Sequence, residues 1–217
     1  MRDLTPFDRL LVTADAMLKI ASGHAPSSGR ASPADEILAS QREPWLESDE
    51  ADEAARLMRV NHSGEVAAQG LYYGQLLTTQ NAEARAQLES SAREEGDHLH
   101  WCRARIEALG GRPSLLNPLW FVGSAAMGAT AGLFGPAASL GFVDETERQV
   151  EQHLEDHLRR LPAADTASRA VLERMRIEEG EHGAAAMALG GKKLPWVVRA
   201  VLMPATASIM KNTSYRI

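Results

Sequence analysis

Two pentapeptides, "EEGDH" at Glu94–His98 and "EEGEH" at Glu178–His182, each place a glutamate three residues before a histidine. On a helix, positions i and i+3 share a face, so each pair can aim a carboxylate and an imidazole at one metal ion. A single pair says little, because glutamate is common in this chain and a surface ion pair has the same spelling. Two further glutamates give the pairs meaning: Glu65 in "NHSGEVAAQ" and Glu147 in "VDETERQVEQH". The order is then Glu65, Glu95/His98, Glu147, Glu179/His182. A helical bundle with one Glu on each of two helices and Glu-x-x-His on each of the other two holds a pair of metal ions. Four carboxylates balance two dications, and hard oxygens with imidazole suit iron or manganese better than copper or a thiolate-seeking metal. Left without metal, that many acids in a core are strongly destabilising. Six protein ligands also leave coordination positions open, as oxygen chemistry requires.

The spacing supports this reading. Glu179 follows Glu95 by 84 residues and Glu147 follows Glu65 by 82, so the second half repeats the first almost in register. Within each half the lone Glu precedes the Glu-x-x-His Glu by 30 and 32 residues, which suits two antiparallel helices joined by a short turn. Glycine inside a helix costs about 1 kcal/mol relative to alanine. Gly96 and Gly180 directly follow proposed ligands and Gly64 precedes one. The expectation is that these glycines let a neighbouring helix or carboxylate approach the metals.

The elements that must position these residues follow from hydrophobic periodicity and breakers. Residues 4–20 read as an amphipathic helix with Phe7, Leu10, Leu11, Ala14, Met17 and Leu18 on one side. "SGHAPSSGRASP" reads as a Gly/Ser/Pro linker, with His24 solvated. Four bundle helices are expected over about 49–79, 82–109, 140–161 and 164–189, and strand signals are nearly absent. Residues 114–143 carry no charge and lie between the second and third bundle helices. Pro118, Gly135–Pro136 and the Ala/Gly content argue against a transmembrane span and for an apolar crossover lying along the bundle. A further apolar helix is expected at about 194–212. The fold class is therefore all-α: a four-helix bundle with an N-terminal helix, an apolar helical crossover and a C-terminal apolar helix. Residues 1–48 form an N-terminal region and 49–217 the bundle.

Other polar residues near the motifs have open roles. His62, three before Glu65, fits a position behind the ligands or against substrate, and Asp144, three before Glu147, could orient a ligand histidine. His153 and His157 share a face that reads as solvated. Asp97/His100 is a rival i, i+3 pair, set aside because Glu95/His98 matches the second copy. Tyr72, Tyr73 and Cys102 read as packing residues. The net charge of −6 argues against a nucleic-acid partner, and one cysteine excludes disulfides within the chain and multi-cysteine metal sites. The N-terminus lacks the compact apolar segment of a signal peptide. Composition alone fits a crossover buried in the protein as well as one with an apolar face, near Trp120 and Phe121, inserted shallowly in a membrane; Trp196 and the C-terminal apolar run favour a membrane surface on the cytoplasmic side.

"LMRVNHSGEVAAQGLYYGQ", "REEGDHLHWC", "GFVDETERQVEQHLEDHL" and "RIEEGEHGAAAMALGG" together resemble the bacterial demethoxyubiquinone hydroxylases of ubiquinone biosynthesis, from about Leu57 to the C-terminus. The resemblance implies a ferritin-like di-iron monooxygenase with two iron ions per subunit, peripheral to the inner membrane on its cytoplasmic face. It implies Glu65, Glu95, His98, Glu147, Glu179 and His182 as ligands and a histidine at His153. It further implies hydroxylation of a polyprenylated benzoquinol by O2, with apolar segments admitting the tail. The electron donor, a homo-oligomer and an assembly of ubiquinone-synthesis proteins stay open. Three alternatives share the residues: a bacterioferritin-like ferroxidase, a peroxidase or manganese catalase, and a metal-free helical scaffold at a membrane.

Overall fold

The computed structural model describes residues 5–40 and 45–217. Leu4, where the first helix was expected to begin, and residues 41–44 of the N-terminal region lie outside them. The described residues form helices α1 (Pro6–Ala21), α2 (Pro33–Ser40), α3 (Ser48–Thr78), α4 (Ala82–Ala108), α5 (Asn117–Leu133), α6 (Pro136–Arg160), α7 (Thr166–Ala188) and α8 (Met203–Ser214), the last preceded by a π-helical stretch at Val198–Leu202.

The bundle is two hairpins, α3–α4 and α6–α7, packed so that α3 meets α6 and α4 meets α7. Local chemistry sets the ends. Asn81 caps α4 by accepting from the Ala84 amide, and Asp165 caps α7 by accepting from Ser168. Gly135, with φ of 94°, breaks the chain ahead of Pro136, which opens α6 where proline lacks nothing. α6 therefore starts earlier than the periodicity suggested, and the crossover ends at Leu133.

Two apolar clusters fill the bundle. One contains Leu57, Met58, Trp101, Ile106, Leu154, Leu172 and Met175. The other contains Ala68, Tyr72, Leu88, Leu140, Val143 and Ala186. On every bundle helix the proposed ligand falls between a residue of the first cluster and one of the second. The polar layer is thus held between two cores.

The crossover α5 lies along α3 in backbone contact. A Cβ added at Gly70 would sit 2.4 Å from the Phe121 carbonyl, one at Gly74 would sit 2.1 Å from the Ala125 carbonyl, and one at Gly128 2.2 Å from that of Leu71. The opposite face of α5 is open, with Leu119, Val122, Leu133 and Phe134 exposed. No helix among the described residues is long and apolar enough to cross a membrane.

The apolar side of α1 faces solvent at Phe7, Leu10, Leu11, Ala14 and Leu18, while Thr13, Ala16 and Ile20 pack inward. One expectation needs correction here. The linker is not free: it crosses α4 as a strap and leads into α2, which packs on α7.

Candidate metal centre

Glu65 on α3, Glu95 and His98 on α4, Glu147 on α6, and Glu179 and His182 on α7 converge in the middle of the bundle, each 5% exposed or less. They form two overlapping groups, Glu65–Glu95–His98–Glu179 and Glu95–Glu147–Glu179–His182, with the ligand atoms of each group within 4.8 Å of one another. Glu95 and Glu179 belong to both. Their oxygens divide accordingly. His98 Nδ1 is 3.2 Å from Glu95 Oε2 and 3.3 Å from Glu179 Oε1. His182 Nδ1 is 3.1 Å from Glu95 Oε1 and 3.7 Å from Glu179 Oε2. Glu65 adds to the His98 side, with Oε2 3.8 Å from His98 Nδ1.

The electrostatics are those of a centre that wants cations. Burial, then the neighbouring carboxylates, push Glu65 and Glu147 well above the usual carboxylate range. Burial alone would lower both histidines. The glutamates around them instead raise His98 well above its ordinary value and push His182 up to about 12. Glu95 is likewise raised by burial, but the two histidines bring it well below its ordinary value. Several oxygens and one nitrogen aimed inward, Glu95 Oε1, Glu147 Oε2, both oxygens of Glu179 and His182 Nδ1, lie buried without an aligned hydrogen bond. Buried polar atoms in that state call for a partner. Two divalent cations would supply it and neutralise four carboxylates, so the donor set fits a pair of metal ions.

A family model described as "Ubiquinone biosynthesis protein COQ7" matches residues 52–214. The chain belongs to this family. It is 50% identical over 210 residues to the 3-demethoxyubiquinol 3-hydroxylase of Cupriavidus taiwanensis, covering 97% of this chain and 100% of that protein. It is 53% identical over 203 residues to that of Cupriavidus pinatubonensis, covering 94% and 96%. To that of Burkholderia lata it is 49% identical over 209 residues, covering 96% and 98%.

Around the centre of this COQ7-family chain, each histidine turns its outer nitrogen to a glutamate on the facing helix. His98 Nε2 is 2.8 Å from Glu178 Oε2, and His182 Nε2 is 3.2 Å from Glu94 Oε2. An acceptor there fixes the tautomer that leaves Nδ1 free for a metal. These two glutamates were missed, although they open both pentapeptides. Asp144 does not take that role; its carboxylate lies against Gly183. Tyr72, read as packing, donates its hydroxyl to Glu147 Oε1. Asp97 turns away from the centre and accepts from Ser28, Gly29 and Arg30, which removes the Asp97/His100 pair from the metal layer.

The remaining candidates sit elsewhere. His62 is buried beside Asn117 of α5, its Nδ1 3.1 Å from Asn117 Nδ2, and burial lowers it to about 3. His153 and His157 are not solvated: their rings meet at a tilt of 59° with centres 3.9 Å apart, and His157 Nδ1 is 2.8 Å from Asn61 Oδ1. Gly64 faces open space and Gly180 meets only Glu151 Oε1 at 4.0 Å, so neither makes room for the metals. Gly96 does make room, but for the strap: a Cβ there would stand 1.8 Å from the Pro26 carbonyl oxygen.

Proposed function

We propose that this protein is a di-iron 3-demethoxyubiquinol 3-hydroxylase with a ferritin-like bundle. The observation that carries the reading is the shared pair Glu95 and Glu179, each dividing its oxygens between two histidines in a chain whose relatives bear that enzyme's name. Glu65 and His98 would hold one iron, Glu147 and His182 the other, with Glu95 and Glu179 between them. The bound iron pair supplies the reaction with O2. The balance is one O2, one ring C–H, two electrons and two protons, giving one ring hydroxyl and one water; the electrons come from a reductant.

The chain's own contribution is positioning and exclusion of water. Glu178 and Glu94 hold the outer histidine protons, and Tyr72 holds Glu147 by its hydroxyl. A shallow groove between α3 and α6, lined by Ala68, Leu71, Tyr72, Phe142, Val143 and Thr146, leads to Glu147. Its volume of about 10 Å³ holds no more than a water, so a quinol ring reaches Glu147 by this route only when the seam between α3 and α6 opens.

The substrate's tail places the reaction at a lipid surface. Exposed Phe7, Leu10 and Leu11 on α1, Leu119 and Val122 on α5, and Trp196, Val201 and Leu202 near the C-terminus suit shallow insertion at the cytoplasmic face of the inner membrane. Flotation with vesicles of an inner-membrane lipid extract should bring the protein to the lipid layer, and Leu10→Glu with Leu119→Glu should release it.

Anaerobically iron-loaded protein, given a short-chain demethoxyubiquinol, a chemical reductant and ¹⁸O2, should form a product heavier by one ¹⁸O atom. Mineral formation or peroxide disproportionation without ring hydroxylation would replace this reading with the ferroxidase or catalase one.

A further inference from the structure

The two halves of the centre are related by an approximate twofold repeat, yet their surroundings differ. Behind His98, the carboxylate of Glu178 is itself held: Arg30 Nη1 is 2.7 Å from Glu178 Oε1, with the more exposed Arg174 Nε at 3.5 Å from the same oxygen, while Glu178 Oε2 faces His98 Nε2 at 2.8 Å. Arg30 is fixed in turn by the α4 surface. Its Nε is 2.7 Å from Asp97 Oδ2, its guanidinium lies 5.0 Å over the Trp101 ring, and its carbonyl accepts from Trp101 Nε1 at 3.3 Å. Trp101 packs against His98, ring centres 5.3 Å apart. The strap that carries Arg30 fits only because position 96 is glycine. Behind His182 there is no such cover. Glu94, its side chain 37% exposed, has no arginine or lysine against it among the described residues, and beside Gly180 stands only Glu151 Oε1, 4.0 Å from where a Cβ would be.

We infer that Arg30 is a positioning residue for one half of the metal centre: through Glu178 it fixes the imidazole of His98, so the strap makes the metal beside Glu65 and His98 the more tightly held of the two. This rests on the two-metal reading above. A carboxylate tied by a guanidinium cannot swing away from the imidazole it orients, whereas Glu94 can exchange His182 for water. Outer partners of this kind are worth about 10–100-fold in metal affinity. The N-terminal segment thereby becomes part of the centre although it supplies no ligand.

Anaerobic titration of the full-length metal-free protein with Co(II), followed by ligand-field absorption, tests the inference without turnover. The wild type should take up two equivalents, one tighter. Arg30→Ala should weaken the tighter equivalent by about 10–100-fold and leave the other unchanged. Arg30→Lys should restore part of the loss, and Gly96→Ala, which lifts the strap, should reproduce it. In a Glu65→Ala background, where the remaining ion sits by His182, Arg30→Ala should have no effect. Arg160→Ala, which breaks a remote ion pair with Glu53, controls for a general loss of stability. Two equivalents in the wild type with Arg30→Ala unchanged would overturn the inference alone. So would equal weakening of both ions in step with the melting temperature. Failure of the wild type to bind a pair of ions would overturn the metal reading and this inference together.

Discussion

Glu95 and Glu179 differ from the other ligands in serving both halves of the centre, and their neighbours Glu94 and Glu178 differ in serving the opposite helix. The convergence of the six proposed ligands was legible in the sequence because i, i+3 spacing is a local fact of helices and the two halves repeat it. The outer glutamates were not, although they stand in the same quoted motifs. Their partners lie on the facing helix, and spacing along the chain does not say which acid of a neighbouring helix meets a given histidine; Asp144 of α6 was chosen because it stands one turn from Glu147. Tyr72 escaped for the same reason, since its hydroxyl meets Glu147 from α3. A doubled acid ahead of each Glu-x-x-His was the available signal. It carries a prediction at this scale: Glu94→Gln, which keeps shape but weakens the acceptor for His182 Nε2, should lower affinity for the neighbouring metal by about 10–100-fold in calorimetric titration. No change in either binding step would show that the contact is incidental.

At the scale of elements, the four bundle helices were readable from helix-forming composition and from Pro and Gly breaks, and the crossover from its lack of charge. The strap and α2 were not. The strap's Gly/Ser/Pro composition signals only turns, and its order comes from Asp97 on a helix reached much later in the chain, while α2 is held by packing on α7. The role of Gly96 was equally hidden, because the backbone that needs its missing side chain belongs to that strap. For the crossover, small residues settle how α5 rests on α3. With the Ala125 carbonyl 2.1 Å from a Cβ at position 74, Gly74→Val must push α5 off α3. Overpacking of this kind costs about 1–3 kcal/mol, to be read from urea unfolding. Gly64→Ala, with nothing within 4 Å and a better helix former, should leave stability unchanged or raise it.

At the scale of the molecule, a polar layer is kept between two apolar cores, and further buried polar groups lie outside the metal layer. His157 is one of them. Burial, then the charges of Arg160 and Lys211, lower it to about 3, against the nearby acids Asp156 and Glu53. The unfolded chain therefore binds a proton that the folded one refuses. The resulting stability is fully present above an unfolded value of about 6.5 and is lost as pH falls from there towards about 3. This one group contributes up to about 1.4 kcal/mol per pH unit in that window. Substituting His157→Gln should flatten the acid limb of the stability curve, measured on metal-free protein by denaturant unfolding at stepped pH. An unchanged slope would mean the ring is not held neutral.

The central claim is that Glu95 and Glu179 hold two irons side by side. X-ray absorption of the anaerobic, iron-loaded protein measures this directly. Two irons per chain with an iron–iron scattering path at about 3.5–4 Å, lost in Glu95→Ala, is the predicted result. A single iron per chain, or two irons without that path, would contradict the account.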